Sequence, residues 1–131
     1  MRIMQSQITF FYYDDFQEAS EFYEEVLGLE LVDDQQWAKI YRVNGTAFLG
    51  IVAGEKGFHQ AQEKNAVLVT FLVDDVPEWY AYLKTKGVKF STDLMTKDDI
   101  QVQCFFAEDP GGYSLEFQRF LRPELAEIFH Q

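Results

Sequence analysis

The sequence predicts an α+β fold built from two successive βαβββ modules. Three observations carry that prediction. The segments FFYYDDFQEASEFYEEVLGLELV (Phe10 to Val32) and TFLVDDVPEWYAYLKTKGVKF (Thr70 to Phe90) follow one plan: a strand-like run, an Asp pair, an amphipathic stretch, a glycine and a further strand. The Asp pairs, at 14–15 and 74–75, stand 60 positions apart. The second copy closes on DPGGYSLEFQ, a tight-turn sequence running into an alternating strand. With 131 residues, the chain is long enough for one domain with a full core. The expected layout is a single domain, 1–131, with modules at about 6–53 and 66–120, a linker 54–65 and a C-terminal tail 121–131.

The elements follow in order. Ile8 to Tyr13 is β-branched and aromatic and reads as a strand. Asp15 with Glu18 is a helix-start signature, because the Asp oxygen accepts from the exposed N–H groups of the first turn. Phe16, Ala19, Tyr23, Val26 and Leu27 recur at helical spacing, and Gly28 ends the helix. Leu29 to Val32 and Trp37 to Val43 read as strands. Asn44-Gly45 predicts a hairpin turn, and Thr46 to Val52 returns from it. Gly54 to Asn65 is a polar linker holding His59.

The second module opens with a strand at Ala66 to Val73. Asp75 caps a helix with Pro77 in its first turn, where a missing N–H costs little. Val76, Trp79, Tyr80 and Leu83 form its apolar face, and Gly87 ends it. Val88 to Ser91, Ile100 to Ala107 and Tyr113 to Phe120 complete the strands. Pro123 to His130 reads as a short terminal helix, with His130 near the chain end, where order is usually poor.

Composition narrows the function classes. A formal net charge of -11 argues against phosphate backbones and anionic membrane surfaces, which need Lys and Arg clusters. With no leader-like or membrane-length apolar segment, the expectation is a soluble cytoplasmic protein binding neither nucleic acid nor membrane. Cys104 is the only cysteine, so no internal disulfide forms, and it reads as a small buried hydrophobe. The 13 Phe, 7 Tyr and 2 Trp exceed what a small core usually requires, which leaves rings for a ligand wall.

FYEEVLGLELV after an Asp-capped strand, with DPGGYSLEF near the C-terminus, resembles the vicinal oxygen chelate superfamily of glyoxalases, bleomycin-resistance proteins and extradiol dioxygenases. The resemblance spans about residues 6 to 120. It implies a curved eight-stranded mixed sheet around a cavity, a small-molecule ligand and a homodimer. It also implies a divalent metal held from the first and last strand of each module. At the corresponding positions stand Ile8 or Gln7, Leu68 or Val67, Leu49 or Gly50, and Glu116. Only Glu116 matches, and a convincing centre needs three protein donors, so the expectation is no metal and no other cofactor.

Within that architecture, strand alternation turns Thr9, Phe11 and Tyr13 to the helix and Ile8, Phe10 and Tyr12 to the cavity. Leu68 and Thr70, then Ser114, Glu116 and Gln118, fall on the cavity side of the second module. Trp37, Tyr41 and Phe48 add aromatic walls. The candidate ligand-binding set is thus Phe10, Tyr12, Trp37, Tyr41, Phe48, Thr70 and Glu116, with Glu116 the candidate catalytic residue. Glu116 can anchor a cationic or hydrogen-bond-donating ligand, accept a proton, or simply tie the sheet together. The expected function is a metal-free small-molecule binding protein nearest the bleomycin-resistance branch. Two alternatives stay open: a lyase, isomerase or dioxygenase-like enzyme using a non-standard metal or acid–base chemistry through Glu116 and Tyr12, and a regulatory dimer without ligand.

Overall fold

The computed structural model describes residues 2–130. The chain divides into two compact units, 1–63 and 64–131, each with its own mixed sheet.

In the first unit β1 (Gln7–Tyr13) leads into α1 (Phe16–Glu21), then β2 (Glu30–Asp34), β3 (Ala38–Asn44) and β4 (Ala47–Ala53). The sheet order is β1-β4-β3-β2. β1 and β4 run parallel, and the other pairs are antiparallel. The Asp15 carboxylate caps α1 by accepting from the Glu18 N–H at 3.0 Å. The α-helix is shorter than its apolar spacing predicts. From Phe22 to Val26 it widens into a π-helical turn, where the Leu27 N–H reaches the Phe22 carbonyl. Gly28 then adopts φ +68°, the left-handed exit that a side chain would resist. The hairpin sits one residue later than predicted. Gly45 and Thr46 are its central residues, and Gly45 takes the positive φ that the first position of a type II′ turn demands.

In the second unit the elements are β5 (Leu68–Leu72), α2 (Val76–Thr85), β6 (Lys89–Phe90), β7 (Met95–Lys97), β8 (Val102–Glu108), β9 (Ser114–Phe120) and α3 (Pro123–Phe129). The order is β5-β9-β8-β6, with β7 also paired to β8 and β5 parallel to β9. Asp75 repeats the cap of Asp15, accepting from the Glu78 N–H at 3.0 Å. β7 was not expected from sequence. Its pairing of Met95, Thr96 and Lys97 with Cys104, Gln103 and Val102 decides its conformation, not its own propensity. Asp109 locks the last turn, one carboxylate oxygen accepting from the Gly111 and Tyr113 N–H groups.

Each core lies between a sheet and its helix. In the first, Phe11, Tyr13, Leu49 and Ile51 are buried together with Ala19, Tyr23 and Leu27. In the second, Phe105 stacks on Phe117 at 5.0 Å and 11°, and Phe117 in turn stacks under Trp79 at 5.5 Å. The terminal helix forms as expected, yet its flanking His130 is not loose. Its side chain is 7 % exposed, and Nε2 accepts the Phe120 N–H at 3.1 Å. No helix among the described residues is long and apolar enough to cross a membrane.

Candidate functional site

Alternation along β1 places Phe11 and Tyr13 on the helix side and leaves Ile8, Phe10 and Tyr12 on the opposite face. Opposite those three lie Phe48, Gly50 and Val52 of β4. The Phe10 ring occupies the space above Gly50, where any Cβ would collide with it. Phe48 is half-buried, and the Arg42 guanidinium stands 4.9 Å from its ring centroid. Tyr12 meets the exposed linker residue His59 edge-on, centroids 5.4 Å apart. Gly57 must be a glycine for a similar reason, since a Cβ there would meet Tyr12 and Val52. Trp37 lies just before β3 and is 44 % exposed. This face is aromatic, with Arg42 as its cation.

Tyr41 does not belong to that face, which corrects its assignment as a ligand wall. It pairs with Leu49 across β3 and β4, so it shares Leu49's orientation toward the helix and is fully buried. There it stacks on Tyr23 at 6.1 Å and joins a polar network that sequence reading missed. The Tyr41 hydroxyl donates to Glu24 Oε2 at 2.7 Å, the Ser20 hydroxyl donates to the same oxygen at 2.7 Å, and the Lys39 ammonium reaches it at 3.0 Å. Lys39 also donates to Ser20 Oγ at 2.6 Å. Burial alone would push the Glu24 carboxyl up. Hydrogen bonds from Ser20, Tyr41 and Lys39, with the Lys39 charge, outweigh it and hold Glu24 below the usual range. Burial, then the hydrogen bond to Glu24 and its charge, outweigh the opposing Ser20 hydrogen bond and push the Tyr41 phenol far above its ordinary value. The signal was present: Ser20 and Glu24 are four apart on a helix, and Lys39 and Tyr41 are two apart on a strand.

In the second unit the same alternation puts Thr70 opposite Glu116 and Cys104 opposite Gln118, away from the helix. Glu116 is 7 % exposed, and its Oε1 accepts the Thr70 hydroxyl at 2.9 Å. Burial, and then the neighbouring Glu116 charge, raises the Cys104 thiol above its ordinary value, and the thiol is within hydrogen-bond reach of that carboxylate. Cys104 is therefore held protonated and is a poor nucleophile. Among the described residues no Lys, Arg or His forms an ion pair with Glu116. The Lys97 ammonium lies 5.3 Å from the Phe106 ring centroid, and Phe106 opposes Glu116.

The two registers identify Gly50 as the counterpart of Glu116. Phe10 opposes Gly50 as Thr70 opposes Glu116, with Phe10 and Thr70 separated by the repeat offset. The donor set does not fit a metal centre. Ile8, Leu68 and Gly50 offer no side-chain donor, and the Phe10 ring fills the place above Gly50. Among the described residues no three His, Cys, Asp or Glu side chains gather closely enough to hold an ion.

The family model described as Glyoxalase/Bleomycin resistance protein/Dioxygenase superfamily matches residues 5–117. A search of curated proteins found no match. Among solved structures, a glyoxalase/bleomycin resistance protein/dioxygenase from Nocardioides is 16 % identical over 94 % of this chain and 87 % of its own, with a TM-score of 0.75. A lactoylglutathione lyase from Agrobacterium tumefaciens is 21 % identical over 86 % of this chain and 91 % of its own, TM-score 0.71. TioX from Micromonospora sp. ML1 is 18 % identical over 90 % of this chain and all of its own (100 %), TM-score 0.74. At these identities the likeness concerns the fold.

Proposed function

This chain belongs to the glyoxalase/bleomycin resistance protein/dioxygenase superfamily, and from that premise we propose that it binds an organic small molecule without a resident metal, using Glu116 as the polar anchor. One observation carries the reading. A carboxylate 7 % exposed has a neutral hydroxyl and a neutral thiol beside it, and no ion-pair partner among the described residues. Burying such a group is costly unless a cation or further donors meet it. A ligand ammonium, amidine or N–H group supplies both. Thr70 steers the carboxylate by holding one oxygen. In the first unit Phe10, Tyr12 and Phe48, with Trp37 just before β3, form an aromatic face of their own, of the composition that ligand surfaces have. Tyr41 takes no part. The family's preference for paired chains extends the proposal to a homodimer, which light scattering would read as twice the chain mass.

The test is calorimetric titration of a panel of aromatic amines with wild-type protein and Glu116→Gln, with elemental analysis of both. The expected result is binding in metal-stripped protein that weakens about tenfold or more in the variant, as for a charged hydrogen bond of about 1.5–3 kcal/mol. One equivalent of metal in the wild type that is lost in Glu116→Gln would overturn the metal-free reading.

A further inference from the structure

We propose that α2 carries a second binding site, a small cage for a quaternary or alkylated ammonium group formed by Trp79, Tyr82 and Glu78. Trp79 and Tyr82 are three residues apart and Glu78 and Tyr82 four, so one stretch of helix surface presents all three. The two rings stand at 88° with centroids 5.8 Å apart, which makes two walls of a box rather than a stack. Together with Glu78 they line a depression of about 300 Å³. That is at the small end of ligand sites and suits a compact head group.

The cage is rigid on one side. Trp79 rests on Phe117 at 5.5 Å and 27°, and Phe117 rests on Phe105. The Glu78 backbone is pinned by the Asp75 cap. Aromatic faces beside a carboxylate attract a cation through the ring quadrupole and the full charge together. The chain's own lysines already show this chemistry on α2 and at its C-cap: the Lys84 ammonium lies 4.3 Å from the Tyr80 centroid, and that of the cap residue Lys86 5.6 Å from Tyr82. A net charge of -11 adds a general attraction for cations. The site is separate from Glu116, because Phe117 lies on the helix side of β9 and Glu116 on the other.

The test follows the two tryptophan indole N–H signals in a 15N-labelled sample, with Trp79 assigned by Trp79→Phe. Choline is titrated against 3,3-dimethyl-1-butanol, its uncharged isostere. The expected result is a saturable shift of the Trp79 signal with choline and a response at least about fivefold weaker with the isostere. Glu78→Gln and Tyr82→Leu should each weaken choline binding about two- to fivefold, as loss of one exposed cation contact does. Both sites are on the helix surface, so folding is checked from the rest of the spectrum. Glu116→Gln leaves the Trp79 response in place, so failure here and failure of the Glu116 anchor are distinguishable. Equal responses to choline and its isostere, an unchanged response in Glu78→Gln, or a response to phosphatidylcholine vesicles but not to free choline would overturn the proposal.

Discussion

The two modules share a backbone plan and invert its polarity. In the first, a partly exposed network of Ser20, Glu24, Lys39 and Tyr41 borders the apolar core on the helix side, while the opposite face carries Phe10 packed on Gly50. In the second, the space under the helix is a stack of Trp79, Phe117 and Phe105, while the opposite face carries Thr70 bonded to Glu116. Helix caps, glycine exits and the parallel pairing of first and last strand are the same in both. Backbone rules therefore fix where a side chain sits, and residue choice fixes whether that position holds a packed ring or a hydrogen-bonded polar pair. The first module uses its polar groups to hold itself together. The second leaves its polar pair on the face away from its helix.

The sharpest way to break the comparison is to exchange the equivalent pairs. Gly50→Glu alone places a carboxylate into the Phe10 ring with no donor opposite, and should cost about 3–5 kcal/mol, as uncompensated buried charge does. Phe10→Thr with Gly50→Glu recreates the Thr70–Glu116 pair in the same register. If the modules are equivalent there, the double variant recovers a large part of that loss, and urea unfolding of the four members of the cycle gives the coupling. Strict additivity would mean that the two positions differ in more than their side chains.

The second prediction concerns the polar interior of the first module. Glu24→Gln keeps the shape but loses charge-assisted bonds from Lys39, Ser20 and Tyr41, and should cost about 1–3 kcal/mol at neutral pH. The pH dependence has a definite sign. Glu24 is held below its ordinary value in the folded protein, so its stabilisation is complete above the unfolded value of about 4.3. It is lost as pH falls below that value and through the folded one. Wild type and Glu24→Gln should therefore converge in unfolding midpoint on going from pH 7 toward pH 3. A constant gap across that range would assign the loss to packing instead.

How far all this could be read from sequence follows the same division. Caps at Asp15 and Asp75, exits at Gly28 and Gly87 and the faces of β1, β5 and β9 were legible, because each depends on residues adjacent in the chain. So were Phe10, Tyr12, Thr70 and Glu116 as residues turned from the helix. Tyr41 was misplaced, because a strand's parity is set by its partner, here Leu49, and not by its own alternation. β7 was invisible for the same reason, being a strand only through β8. Glu24 sits in the π-helical turn and meets Lys39 and Tyr41 of β3, fifteen and seventeen residues on, and His130 is held by Phe120 ten residues earlier. Long-range pairing, rather than composition, is what the sequence withheld.

The smallest effect tests what the modules have in common. Asp15 and Asp75 each accept one N–H, from Glu18 and Glu78, at the same 3.0 Å and with similar cap backbone, φ -99° and -121° at ψ 85°. Replacing either by Ala should cost about 1 kcal/mol, the usual worth of an N-cap. The helices they start are unequal: α1 has six α-helical residues before its π turn, α2 has ten, with proline at its first turn. If local capping alone decides, Asp15→Ala and Asp75→Ala lower the denaturation midpoint equally. If the network through Glu24 anchors α1 independently of its first turn, the loss at Asp15 is the smaller one, and combining Asp15→Ala with Glu24→Gln exceeds the sum of the single losses. That outcome would show the polar interior of the first module doing for its helix what aromatic stacking does for the second.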